Sequence, residues 1–379
     1  MFELKILPSV REVSREAWDA LVGENDSPFV EWTWLDCLEQ AKCVGPGTGW
    51  ASCHLTLSQD GKLVAVAPAF LKGNSEGEFV FDWSWAELAS RVGVSYYPKL
   101  IFAVPFTPAA GGRVLVAKDV SRAAVIRAIA GAMPDILKEL GAFGAHVLFP
   151  REEEAAEWAE AGFLRRLGVQ YQFRNASYET FEDFLKQFPS KKRTQLRRER
   201  KQPAKDGIAI ATLTKDEYAD PKNVRDMFRF YGITVDKFSW GRRYLNRRFF
   251  ELVAEHFSDR LAWVFAKRDG KPIAGAFNVK KNGILYGRYW GADEELPFLH
   301  FNVCYYHGVE ECIAEGLKLF EPGAGGEHKR VRGFAPALTH SAHYLVDPRM
   351  RRILQNHLEE ERAHIRHYVE SAGESDEFD

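Results

Sequence analysis

Two stretches of this chain, 209 residues apart, carry the same hairpin signal. Residues 51–57 and 63–71 are apolar runs joined by Ser-Gln-Asp-Gly-Lys, and residues 261–266 and 273–279 are joined by Lys-Arg-Asp-Gly-Lys. An Asp-Gly pair between strand-forming runs favours a tight turn whose two central residues take positive φ. Such turns are common, so the repeat rests on their neighbourhoods. Helical patterns precede both hairpins: one starts at the N-cap Ser14 and one covers 33–42 in the first half, against 214–231 and 244–256 in the second. After the first hairpin come a helix at 122–140 and a strand at 145–149; after the second come a strand at 284–290, a helix at 302–316 and a strand at 317–320. This order predicts an α/β (α+β) protein of two tandem copies of one unit, each a mixed, largely antiparallel sheet flanked by helices. A length of 379 residues suits two cores. The expected domains are 1–175 and 176–370, with a basic helix at 189–201 in the second and an acidic disordered tail at 371–379.

Composition narrows the function class. The five cysteines are odd in number and form no CxxC pair, which argues against a disulfide framework or a zinc knuckle and for reduced thiols in the cytoplasm. A formal net charge of −2 argues against a surface given over wholly to nucleic acid. Residues 63–71, the longest apolar run, fall far short of the roughly 20 residues a spanning helix requires, and residues 1–10 lack the pattern of an export signal. The chain also lacks a Walker loop, a GxGxxG turn, a GxSxG elbow and an HExxH helix.

Three stretches concentrate chemistry. In 320–344, FEPGAGGEHKRVRGFAPALTHSAHY, glycines precede Glu327, His328, Lys329 and Arg332, and Thr339, His340, Ser341 and His343 follow. A charged, glycine-rich segment with few periodic apolar residues reads as a site whose charges face a cleft. In 79–113, Asp82 stands among aromatic residues with Trp83 and Trp85 beside it, and Ser84 is the expected cap of a helix from 85 to 91. Unless paired, a carboxylate in such surroundings has a raised pKa, as suits a general base. The loop from Pro105 to Arg113 is expected to be rigid and exposed and to wall a substrate cleft. In 189–201, Lys191, Lys192, Arg193 and Arg197 belong to a run of seven basic residues with one acid. That run is either a solvated face or a landing strip for carrier phosphates. The i, i+3 histidine pair His340 and His343 lacks the cysteines or carboxylates of a metal site, so no metal is expected. Residues 330–335 fit R-x-x-G-x-A, a phosphate-loop pattern that requires a strand before it and a helix N-terminus after it.

Together FDWSWAELASR with YYPKLIFAVPFTPAAGGRVL, FPSKKRTQLRRER and PGAGGEHKRVRGFAPALTHSAHY resemble hallmark segments of the FemAB-like proteins, a peptidoglycan biosynthesis or recognition branch of the GNAT acyltransferases. The resemblance covers the chain to about residue 352 and implies two tandem GNAT-type domains. More weakly, Gly326-Glu-His-Lys329 is similar to a segment of the Fem ligases, which move an amino acid from aminoacyl-tRNA to an amine of the cell-wall precursor. That likeness puts Lys329 at the place of their transition-state lysine. Glu327 and His328 are not the residues those ligases carry, and their long coiled-coil arm is absent.

These readings lead to an N-acyltransferase that takes an acyl or aminoacyl group from acyl-CoA or aminoacyl-tRNA to an amine of a peptide, amino acid or cell-wall precursor. Glu327, His328, His343 and Asp82 are the candidates for taking the proton, and Lys329 or Arg332 for holding the oxyanion. Trp83, Trp85, Arg113, Arg332, His340 and Ser341 are expected to contact substrate. The alternative is a non-catalytic module of the same fold that binds a peptide or glycan; the oligomeric state is not legible.

Overall fold

In a computed structural model, residues 2–237 and 242–374 are described, apart from the side chains of residues 327, 373 and 374. The chain forms two compact units: the first is Met1–Val169 with Leu338–Glu370, and the second is Gln170–Ala337 with Ser371–Asp379. The boundary lies near the expected join, but the C-terminal segment returns to the first unit. Two strands, Leu164–Arg174 and Ala335–Leu345, carry the chain across the boundary.

In the first unit Phe2–Leu7, His54–Gln59, Lys62–Ala67 and Leu115–Val116 form one antiparallel sheet in that order. A second row runs Ala335–Leu345, Gly144–Leu148, Lys99–Phe102, Ala69–Lys72, Ala51–Ser52, with only the pair Lys99–Phe102 and Gly144–Leu148 parallel. That parallel pair needs a crossover, which the helix Arg122–Leu140 supplies. Its Ile126, Ile129, Met133 and Ile136 recur at helical spacing and pack with Leu55, Leu57, Phe102 and Val147 in one core.

In the second unit Ile208–Thr212, Val264–Arg268, Lys271–Lys281, Ile284–Ala292, Leu319–Glu321 and Leu164–Arg174 follow in order, with only Ile284–Ala292 and Leu319–Glu321 parallel. The crossover there is helical from Leu299 to Glu315, including one π turn at Asn302–Tyr306.

The repeat is visible in the hydrogen-bond ladder. Gln59 pairs with Lys62 and Arg268 with Lys271, and Asp60, Gly61, Asp269 and Gly270 all have positive φ. Each hairpin also shifts register at the equivalent place, between Leu57 and Ser58 and between Ala266 and Lys267.

Several local expectations are corrected. The helix in the aromatic segment is Trp83–Arg91; Asp82 rather than Ser84 stands at its N-cap, and its side chain makes no capping bond. The loop before Arg113 is buried, not exposed. Residues 335–345, to which the sequence reading assigned no element, form an eleven-residue strand. The C-terminal helix, which the spacing of Ile353, Leu354 and Leu358 predicts over 346–369, runs Pro348–Glu374 with Met350, Leu354 and Leu358 inward and Ile353 exposed. That helix takes up the first residues of the expected tail, and residues 375–379 lie outside the described residues.

Gly291 and Gly131 separate close packing from chain entropy. A Cβ on Gly291 would lie 1.9 Å from the Phe230 carbonyl oxygen, whereas one on the helical Gly131 meets nothing within 4 Å. Denaturant unfolding is expected to show Gly291→Ala destabilised by about 1–3 kcal/mol and Gly131→Ala stabilised by about 0.5–1 kcal/mol.

Candidate active site

Lys329 lies in a short 3-10 turn, Glu327–Arg332, bounded by Gly326 and Gly333, both in left-handed backbone at φ 91° and 87°. Glycine adopts that conformation without a Cβ penalty, so the chain reverses sharply at both ends of the turn. The turn faces a cavity of about 260 Å³ whose lining belongs to the second unit and includes Arg288, Trp290, His300, Tyr305, His328 and Lys329. Arg288 is the extra residue of a β-bulge, between the pairs Phe277 with Tyr289 and Asn278 with Gly287. Bulges bend a strand and re-aim its side chains.

The cavity is electropositive. Lys329 is only 2% exposed, and its Nζ donates to the carbonyl oxygens of Gly323 at 2.7 Å and Ala324 at 3.3 Å. Among the described residues it has no carboxylate partner. Burial pushes its pKa down to about 8. Burial lowers Arg288 as well, and His300, stacked on Trp290 at 4.2 Å, is pushed down to about 4 by burial and by the nearby His328, Lys329 and Arg332. His328 is shifted down from its ordinary value by burial, then by Lys329 and Arg332, so it is mainly neutral at pH 7; its Nε2 lies 2.9 Å from the Tyr305 hydroxyl. No described carboxylate lines the cavity. Such a site suits a group that is anionic or becomes so during reaction.

Behind the turn, Arg332 is held by a buried carboxylate. Glu199, 1% exposed, accepts from Arg332 Nε at 3.2 Å and Nη2 at 3.1 Å, and also from the Tyr306 hydroxyl. Arg332 Nη1 donates to the carbonyl of His328 at 2.9 Å, and the guanidinium lies 3.4 Å from the centre of the Phe301 ring. Arg332 is thereby tied into the structure that supports the Lys329 turn. Glu199 is the one acid of the basic run, and that isolation is the signal in the sequence that marks it.

The remaining expected residues fall elsewhere. The side chain of Glu327 lies outside the described residues. On the basic helix, observed at Ser190–Lys205, Arg197 is taken by Glu182 at 2.7 Å, Arg193 donates to the Phe188 carbonyl, Lys191 is exposed, and half-buried Lys192 has its pKa lowered by burial and then by Arg332. Asp82, Trp83, Trp85, Arg113, His340, Ser341 and His343 all belong to the first unit. Trp85 is buried, while Trp83 is 59% exposed and lies 5.1 Å from the equally exposed Phe81 ring. Arg113 is fully buried, and its guanidinium donates to carbonyls of Ala109, Gly111, Gly112 and Leu148, which makes it a lock on its own loop rather than a group open to substrate. His340 and His343 lie three apart on a strand, hence on opposite faces. His340 accepts from Arg165 at 3.1 Å, whereas His343 Nδ1 lies 2.6 Å from His146 Nδ1 and its Nε2 2.8 Å from the Ser341 hydroxyl. The R-x-x-G-x-A match fails its structural condition, because a 3-10 turn precedes its glycine and a strand follows it.

Asp82 is paired after all. Lys99, fully buried, donates to Asp82, to Glu78 at 2.8 Å and to Ser75 at 2.8 Å, and the Tyr96 hydroxyl donates to Asp82 at 2.6 Å. Burial works against the Asp82 carboxylate, but Lys99 and these hydrogen bonds outweigh it and hold its pKa below the ordinary range. One ammonium cannot offset two carboxylates, so Glu78 absorbs the imbalance: burial, with the Asp82 charge adding, pushes it up to about 7 against the pull of Lys99.

The comparisons define first the class. A crystal structure of FemX is 12% identical, with 90% of this chain and 98% of that one covered at a TM-score of 0.54. A conserved protein of unknown function from Bacteroides thetaiotaomicron VPI-5482 is 10% identical, with 91% and 100% covered at 0.53. A tandem GNAT protein from the clavulanic acid biosynthesis pathway is 12% identical, with 92% and 99% covered at 0.49. The fold is α/β, with mostly antiparallel sheets flanked by helices, and is shared with the FemX structure. Within that class, residues 9–379 match the FemAB-like family, described as peptidoglycan biosynthesis/recognition, and the chain belongs to it. Family membership supports a peptidoglycan-related function, in biosynthesis or recognition. No curated protein matches the sequence. Among the described residues no helix is long and apolar enough to cross a membrane, and no cluster of three His, Cys, Asp or Glu stands ready to hold a metal.

Two stability measurements probe these clusters. Glu199→Gln strips the buried Arg332 of its counter-charge and is expected to lower unfolding free energy by about 3 kcal/mol in denaturant titration. Glu78 holds its proton more tightly folded than unfolded, so its contribution is full below its unfolded pKa near 4.5 and is lost as pH rises through about 7. Buried Glu154, also near 7, acts in the same direction. Glu78→Gln is therefore expected to flatten, without abolishing, the decline in stability between those pH values.

Proposed function

We propose that this chain is an N-acyltransferase that moves an acyl or aminoacyl group from an activated carrier to an amine of a peptide or cell-wall precursor, with Lys329 acting on the transition state. The observation that carries this reading is the buried Lys329 ammonium, fixed by two carbonyls and without a described anionic partner. The acceptor amine attacks the carbonyl carbon of the carrier ester or thioester; the C–N bond forms and the carbonyl oxygen takes up negative charge. As that oxyanion collapses, the C–O or C–S bond breaks. The amine's proton leaves through a base and reaches the departing oxygen or sulfur. Lys329 and Arg288 supply the positive field for the oxyanion, and neutral His328, on the cavity wall, takes the proton.

The carrier is an aminoacyl-tRNA or an acyl-CoA. The peptide or cell-wall acceptor follows the family's description.

Lys329→Met keeps most of the stem and removes the charge. It is expected to lower kcat about 10²- to 10³-fold with little change in donor Kd. The ratio of wild-type to variant kcat, in which acceptor ionisation cancels, is expected to fall as pH rises through about 8, where Lys329 loses its proton. Unchanged turnover in folded Lys329→Met, with only a lowered Tm, would make the lysine structural and overturn the reading. Failure of the wild type to transfer from any donor while still binding peptide or glycan would favour the non-catalytic alternative.

A further inference from the structure

Tyr305 stands between the interior of the cavity and His328. It lines the cavity beside Lys329, is 3% exposed, and belongs to the π turn Asn302–Tyr306 of the helical crossover. Its ring is held edge-on by Phe334 at 5.4 Å and stacks on Phe301 at 6.2 Å. The hydroxyl has one partner among the described residues, the Nε2 of His328 at 2.9 Å. Burial pushes the phenol's pKa up, so its proton stays on the oxygen. His328 is exposed, yet its Nε2 is turned to that buried hydroxyl. A Cβ on Gly326 would lie 2.7 Å from His328 Cε1 and 3.2 Å from Nε2, so the imidazole occupies the space that glycine leaves open and is seated there.

Counting donors and acceptors fixes the direction of this hydrogen bond. A neutral imidazole carries one N–H and one lone pair. Were Nε2–H the donor, the buried hydroxyl proton would have no acceptor among the described residues, a situation that buried polar groups avoid. With the hydroxyl donating, the phenol proton and the Nε2 lone pair satisfy each other, and the imidazole proton sits on Nδ1. His328 then has no lone pair to offer an amine directly, because its one acceptor already faces Tyr305. A proton from the cavity reaches that acceptor only along the hydroxyl.

We propose that Tyr305 is the catalytic residue that meets the acceptor amine, and that His328 takes the amine's proton through it. The inference rests on the transfer reading above. As the C–N bond forms, the amine nitrogen gives a proton to the Tyr305 oxygen while that oxygen's own proton passes to His328 Nε2, which leaves a neutral phenol and an imidazolium. The proton returns by the same route to the departing oxygen or sulfur, and the Nδ1–H form of His328 is restored. No phenolate forms at any point, as suits a buried tyrosine.

One measurement reads the tautomer and another reads the coupling. Side-chain nitrogen NMR of the full chain with isotope-labelled histidine, the His328 signals identified by their loss in His328→Ala, is expected to show neutral His328 protonated at Nδ1. Tyr305→Phe keeps the ring contacts and is expected to abolish that preference. In a double-mutant cycle, Tyr305→Phe and His328→Ala are each expected to lower kcat about 10²-fold or more with little change in KM, and the double variant to lose no more than the worse single, because one relay is broken once. A wild type that transfers but carries His328 as the Nε2–H form, or losses that multiply in the double variant, would overturn the relay alone. A wild type that transfers from neither carrier would overturn the functional reading and the relay with it.

Discussion

The candidate active site depends on one buried charge pair. Glu199 and Arg332 come from a helix and a turn far apart in sequence, and each would be costly to bury alone. Their pairing, completed by the Tyr306 hydroxyl and the Phe301 ring, fixes the guanidinium that captures the His328 carbonyl. The turn that presents Lys329 is thereby tied to the helix that sequence alone would describe as a basic surface. A solvated lysine on a glycine-flanked loop would sample many rotamers; here the turn and two carbonyls leave it little freedom.

The protein handles its buried charges in opposite ways. Around Lys99 it supplies two carboxylates for one ammonium, and the excess is absorbed by a proton on Glu78. Around Lys329 it supplies only dipoles, so the charge stays unbalanced and its proton is loosened. A cation that already has its anion has little to offer a developing oxyanion. For that reason the functional reading rests on Lys329, although Lys99 is the more deeply buried of the two.

The fold was legible where the signal is local. The Asp-Gly turns, the Ser14 cap and the apolar spacing of the helix Arg122–Leu140 each express short-range physics, and the structure carries them. The offset of 209 extends to the position of the bulge, which no propensity scale reports. The strand at 335–345 was not legible for a physical reason. His340, Ser341 and His343 interrupt the apolar alternation of a strand, yet the two histidines find the partners Arg165 and His146 from strands distant in sequence, and Ser341 pairs with His343. Of the candidate site, the turn around Lys329 was legible because glycines and charges cluster in sequence. Arg288, His300 and Tyr305 were not, since bulge geometry and ring packing bring them to the cavity. Lys99 and Glu78 were missed in the same way, and Asp82 was singled out without its partner.

The route of the chain through its two units has a bearing on biogenesis. The first unit is discontinuous: it begins at the N-terminus and takes its last strand and helix from residues made only after nearly all of the second unit. During synthesis the second row of the first unit therefore waits for Ala335–Leu345, and until it arrives the edge of Gly144–Leu148 that pairs with it has no strand to meet. An unpaired edge is an invitation to other chains. The ribosome-bound intermediate is thus the form of this protein most in need of a chaperone, and a nonsense codon late in the gene would damage the unit encoded first.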